Sequence, residues 1–416
     1  MTIAKKQARL LVVIAALSIP LAAQKTAQPI PDGFDFPADQ SKLLAARDGQ
    51  DVHAMRLHVW MVFAGLTQPT SSGEAIWETW YSAAETFSPA QAQALSQRKL
   101  QRRFQVPRQF QQAGTRAQAV GTSLASFTLF NADLRNWVQS KKLYLRSTLQ
   151  DLNNTFGPQV PVDKRAIPDF PRTAVALKTV WWIVKRTGQT VMPIWDPDIN
   201  SARPSGNDIS TWQRCVVIDP SRSTVPNSET AEVSCNGRPT ASAHTVALDS
   251  FYHFALTADQ IQQLRQIATI PNIDQAEAGD FVALVAMHVT TKEIPDWVWA
   301  TAWWHDRPND GPFAADRPSQ VQGVWRNYLM SEAYSMDTPK QSDDSPHIAF
   351  NPWLEARFVD GTTSNCMTCH RRSVFSGQRS DGNFLPITHG APPNNDPRFT
   401  NSTKLDFLWS ILFESH

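Results

Sequence analysis

Asp280-Phe281-Val282-Ala283-Leu284-Val285-Ala286-Met287-His288-Val289-Thr290-Thr291 is an apolar, β-branched run with one imidazole in it, and it reads as a buried strand. Working outward, Ala174 to Val184, Thr190 to Trp195, Trp212 to Ile218 and His244 to Leu256 have the same character, separated by Ser, Pro, Asn and Gly. One helix interrupts them: Thr257 with Gln260 makes a capping box, and Ile261, Leu264 and Ile267 form its apolar stripe. Residues 166–306 are therefore expected to be β-rich. Upstream, Val52, Met55, Val59, Val62, Phe63 and Leu66 recur at helical spacing, with Gly65 and Pro69 as a stop. Further helices are expected around Pro89 to Phe104 and Ala132 to Leu152, so residues 24–165 read as mainly helical. Beyond Arg307, residues 307–416 turn loop-rich and close on the apolar run Phe407 to Phe413. The expected class is α+β, with no internal repeat.

Lys5, Lys6 and Arg9 precede the apolar run Leu10 to Ala23, which ends in Leu21-Ala22-Ala23. That is the pattern of a secretory signal peptide over residues 1–23, and the run is shorter than the roughly 20 residues that span a bilayer. The expectation is export to the periplasm, with no stable membrane span after cleavage. Lys+Arg 39 against Asp+Glu 38 leaves a formal net charge of +1 in 416 residues, so nucleic acid is not an expected partner. The 15 Trp and 21 Phe supply flat walls that suit a large planar ligand, although core packing accounts for most of them.

Four cysteines fall into two kinds. Cys215 and Cys235 are isolated singles, and in an oxidising compartment the plain reading is a disulfide. Cys366-Met367-Thr368-Cys369-His370 is C-x-x-C-H, the spacing at which two thiols can tether neighbouring edges of one haem while the adjacent His ligates its iron. A thioredoxin-like dithiol would want a strand-to-helix context, whereas Asp360-Gly361-Thr362-Thr363 precedes the motif; a zinc site would want a second ligand pair. One covalent haem c is the expected cofactor, with a loop-rich tail that depends on it. Trp297-Val298-Trp299 and Trp303-Trp304 are candidate pocket walls.

The pentapeptide resembles that of c-type cytochromes. More loosely, Asn351-Pro352-Trp353-Leu354-Glu355-Ala356 through Arg371 resembles a poorly characterised family of exported bacterial cytochrome c-like proteins. No Met follows His370, unlike the small cytochromes c in which a Met ligand comes after the motif, so the leading candidates for the sixth iron ligand lie upstream. His288 leads, because an imidazole in an apolar strand is costly without a partner. His58 on the first long helix and His305 after Trp304 follow, and His389, Met330 and Met336 share the rest with an open site. A closed site implies a monohaem electron carrier with a redox partner protein. An open one implies a haem enzyme or a sensor that binds a small molecule.

Overall fold

The computed structural model describes residues 26–89, 125–196, 209–226, 228–267, 272–337, 340, 347–355, 364–377 and 392–416. Its centre is an antiparallel sheet in the order β1 (Tyr81–Ser82), β2 (Ala125–Phe130), β3 (Val175–Val184), β9 (Phe281–Thr291), β10 (Val298–Trp304) and β11 (Tyr328–Ala333). A further strand, β8 (His253–Ala255), also pairs with β9. β3 and β9 run together from Val175 opposite Thr291 to Val184 opposite Phe281, with one irregularity after Val180. The sheet takes strands from all three stretches of the sequence, so residues 24–165, 166–306 and 307–416 share one core framework.

Alternation along each strand divides its side chains between two cores. Leu129, Leu177, Met287, Val289, Ala302 and Met330 belong to the first, which packs with α2 (Val52–Leu66). α2 begins where Asp51 Oδ1 accepts the Ala54 N–H at 3.0 Å and ends one residue past Gly65. A Cβ at Gly65 would lie 2.6 Å from Ile30 and 2.7 Å from Phe34, so the glycine permits this close approach. Phe130, Ala176, Trp299 and Ala333 belong to the second core, with residues of α3 (Ala83–Phe87), α4 (Ala132–Ser140) and α5 (Arg146–Thr155) and the C-terminal segments. The fold is α+β.

Several expected elements are present with adjusted limits. The Thr257 capping box forms, with Gln260 Oε1 accepting the Thr257 N–H at 2.8 Å, and opens α6 (Ala258–Ile267). The helix expected over Ala132 to Leu152 is two helices, broken where Lys142 takes a φ of 53°. β11 lies in the stretch read as loop-rich. Its Ser331 and Glu332 interrupt the apolar pattern, yet both are buried, and Arg56 Nε meets Glu332 at 3.3 Å. The signal-peptide stretch 1–23 and, apart from Pro89, the helix expected from Pro89 to Phe104 lie outside the described residues. Among the described residues no helix is long and apolar enough to cross a membrane.

A second sheet orders β4 (Thr190–Ile194), β5 (Arg214–Asp219), β7 (Arg238–Ala247) and β6 (Thr230–Cys235), with β5 and β7 parallel. Cys215 in β5 and Cys235 at the end of β6 form a disulfide across 20 residues of sequence. Closing such a loop is worth about 3 kcal/mol in the chain-entropy account. Cys215→Ala/Cys235→Ala should lose about that much stability in urea unfolding under oxidising conditions. The same variant should match the wild type once the wild type is reduced.

Candidate functional site

The C-x-x-C-H residues form a single helical turn, α7 (Cys366–His370). Asn365 fixes its start: Oδ1 accepts the Met367 N–H at 3.0 Å, while Nδ2 donates to Ser335 O at 3.3 Å and His347 O at 3.0 Å. Met367 is fully buried and Thr368 Oγ1 donates to Met336 Sδ at 3.4 Å, which turns those two positions toward the second core. Cys366, Cys369 and His370, at i, i+3 and i+4, share another face and keep part of their surface accessible. Both thiols are reduced.

His370 is oriented by one bond. Its Nδ1–H donates to Phe407 O at 2.8 Å, which leaves the Nε2 lone pair for a metal. Burial pulls its pKa down to about 4, so the ring is neutral at ordinary pH. The Trp299 ring lies 4.5 Å from the imidazole at 52°.

Facing this helix is the sheet. β3 is buried at every residue except Lys178, and β9 at every residue except Phe281 at its start and His288. Lys178 and His288 are register partners, and they sit in a polar row that crosses five strands: Thr128, Lys178, His288, Thr301 and Ser331. Trp299 lies two residues from Thr301 on the same face of β10, and it touches His370. His288 Nε2 meets Glu355 Oε1 at 2.9 Å, and Glu355 Oε2 accepts the Asn351 N–H. Asn351 Nδ2 donates to Thr301 Oγ1 at 2.7 Å and to Ala302 O at 3.1 Å, locking this turn onto β10.

Electrostatics connect the two walls. Burial lowers the Lys178 pKa to about 8, against the charges of Glu355 and Cys369. Burial raises both thiol pKa values, that of Cys366 well above its ordinary range, with the Glu355 charge adding to each. A dithiol nucleophile needs the opposite shift, so the thiols suit covalent tethering better than exchange chemistry. The donor set fits haem c: two thiols outside any disulfide and a neutral imidazole with a free Nε2 share one helix face, and Trp299 lies against the imidazole. Thr128 Oγ1, at the end of the row, is buried and without a partner among the described residues. Among those residues no three or more His, Cys, Asp and Glu are grouped to hold a bare metal ion.

Comparison with protein-family models, curated proteins and solved structures finds no match. The site therefore stands on its own geometry.

Of the upstream candidates, His288 is brought to the motif. With Nε2–H given to Glu355, its Nδ1 is the nitrogen left to ligate. His58 is placed elsewhere: it lies between Asp35 Oδ2 at 3.0 Å and Glu293 Oε2 at 3.1 Å, with both ring nitrogens engaged. His305 is also engaged at both nitrogens, at 3.2 Å from Trp195 O and accepting the Arg307 N–H at 3.0 Å. Met330 belongs to the opposite core, Met336 lies behind α7 against Thr368, and His389 lies outside the described residues. Of the tryptophans, Trp299 meets the motif, whereas Trp303 packs on Trp195 and Trp304 stacks on Phe251. Lys178 and Glu355 were not among the sequence candidates. The signal for Lys178 was present, as the one charge inside the apolar run Ala174 to Val184.

The His58 cluster makes stability depend on pH. Burial alone would lower its pKa, but hydrogen bonds to Asp35 and Glu293 override that and raise it from 6.5 to about 9. The resulting stabilisation is complete below pH 6.5 and is lost as pH rises through about 9. Unfolding free energy should fall by roughly 2–3 kcal/mol across that window in the wild type. His58→Gln should lose this component, read as the difference between the wild-type and variant urea-denaturation free energies at each pH.

Proposed function

We propose that the protein is an exported monohaem c-type cytochrome acting in periplasmic electron transfer. The observation that carries this reading is the His370 Nδ1–H bond to Phe407 O, which presents Nε2 as a neutral ligand on the helix face that also carries Cys366 and Cys369. Cys366 and Cys369 would hold the haem through two thioethers, a linkage that needs no oxidant. Bound there, the haem supplies a one-electron iron couple. The chain's own contribution would be to hold it: Cys366 and Cys369 as tethers, His370 as an iron ligand, and Trp299 as a wall. His288, whose tautomer and orientation the Glu355 carboxylate fixes, would supply a second ligand.

A second reading has an observation in its favour. Lys178, with its pKa lowered to about 8, is an ionisable group that a passive carrier does not need. It suits a haem enzyme or sensor with an open iron position and a small-molecule ligand.

Two experiments separate the cases. In cells competent for haem c maturation, Cys366→Ala or Cys369→Ala should weaken haem retention after denaturation, and the double variant should abolish it, as read by haem staining of denaturing gels. A stained band in the double variant would overturn covalent attachment at these residues. For the axial position, the reduced wild type should be low-spin and its Soret band unmoved by carbon monoxide. His288→Ala should then bind carbon monoxide, whereas His58→Gln and His305→Gln should not. Carbon monoxide binding by the wild type would favour the enzyme or sensor reading.

A further inference from the structure

We propose that Asp406, held by Lys292 and Trp297, is a positioning residue for His370: it fixes the Phe407 carbonyl that receives the imidazole Nδ1–H, and so sets the donor strength of His370 toward iron. The inference rests on the haem c reading above.

The carbonyl sits in an improbable piece of backbone. Asp406 and Phe407 have φ values of 47° and 67°, two successive non-glycine residues in the left-handed region. Asp tolerates that region better than most residues, but a bulky Phe does not, and the surrounding structure must impose it. Asp406 Oδ1 accepts from Lys292 Nζ at 2.7 Å and from Trp297 Nε1 at 3.2 Å. The Lys292 side chain is only 5% exposed and that of Asp406 8%, so this is an enclosed ion pair, not a surface one. Lys292 follows directly on β9, its N–H donates to Ala174 O at 3.0 Å, and its Nζ also donates to Pro295 O at 2.9 Å.

On the other side the same loop is tied to the motif. The Leu405 N–H donates to Ser373 O at 2.9 Å, three residues beyond His370, and the Arg371 guanidinium lies 5.5 Å from the Phe407 ring centre. The Phe407 carbonyl is thus fixed both to the end of β9 and to the segment leaving α7. A cavity of about 170 Å³ lies behind it, lined by Asp406, Ser373, Arg371 and Lys404 among others. This is smaller than the roughly 300 Å³ at which ligand pockets begin, and it leaves room for the loop to relax if the anchor is cut.

The consequence is electronic. A firm Nδ1–H···O=C bond makes an imidazole a stronger donor, which favours ferric over ferrous iron and lowers the midpoint potential. Loosening the carbonyl should raise it. Redox titration of the exported holoprotein with Asp406→Asn, Lys292→Met and Trp297→Phe tests this, because positioning and bare charge predict different signs. If the anchor acts through Phe407, all three variants raise the potential. If only charge matters, removing Asp406's negative charge raises it and removing Lys292's positive charge lowers it. A lowered potential in Lys292→Met, or no shift in any variant, would overturn the proposal. Should the two charge variants fail to accumulate, Trp297→Phe decides alone, since it removes one hydrogen bond and keeps a ring in place: a raised potential supports the anchor and an unchanged one overturns it. Absence of covalent haem from the wild type would instead overturn the haem c reading itself.

Discussion

The pairing of β3 with β9 sets Lys178 beside His288 in the middle of a sheet whose other positions there are buried. A sheet centre does not ordinarily keep a cation and an imidazole, because each must be desolvated and then partnered. Here the partner comes from outside the sheet. Glu355 reaches His288 at 2.9 Å, and Asn351 fastens that turn to β10. Of the polar row, Lys178 and His288 alone keep part of their surface accessible, whereas Thr128, Thr301 and Ser331 are buried. Remove the pairing, and the two walls of the site have no reason to face each other.

Much of this was legible in the residues. The apolar run Asp280 to Thr291 announces β9, and the α2 stripe announces the first core. Cys366, Cys369 and His370 define their own face through helical spacing. Other parts were not, for identifiable reasons. β11 carries Ser331 and Glu332 inside a buried strand, where burial raises the Glu332 pKa to about 7 and Arg56, 3.3 Å away, offsets part of that cost. β10 reads as a cluster of tryptophans, yet its residues serve three different sites. Glu355 and Lys178 lie 177 residues apart in sequence, so no local pattern could join them to His370.

The histidines show the same limit. His58, His288 and His305 are all largely enclosed, and sequence ranks them only by how apolar their neighbours are. Structure separates them by what each nitrogen already holds. His58 lies between two carboxylates, which makes it a charged structural residue. His305 is engaged at both nitrogens by backbone groups. His288 alone of the three has one nitrogen given to a carboxylate and faces the motif. Ligand capacity is thus a property of the hydrogen-bond inventory, which the chain does not write in any one segment.

Whether Cys366 and Cys369 tether one haem is read from the intact mass of the denatured protein, purified after export from cells competent for haem c maturation. The expected value is that of the processed polypeptide plus a single haem, with one disulfide retained. A mass equal to the polypeptide alone, with Cys366 and Cys369 free or joined to each other, would contradict it.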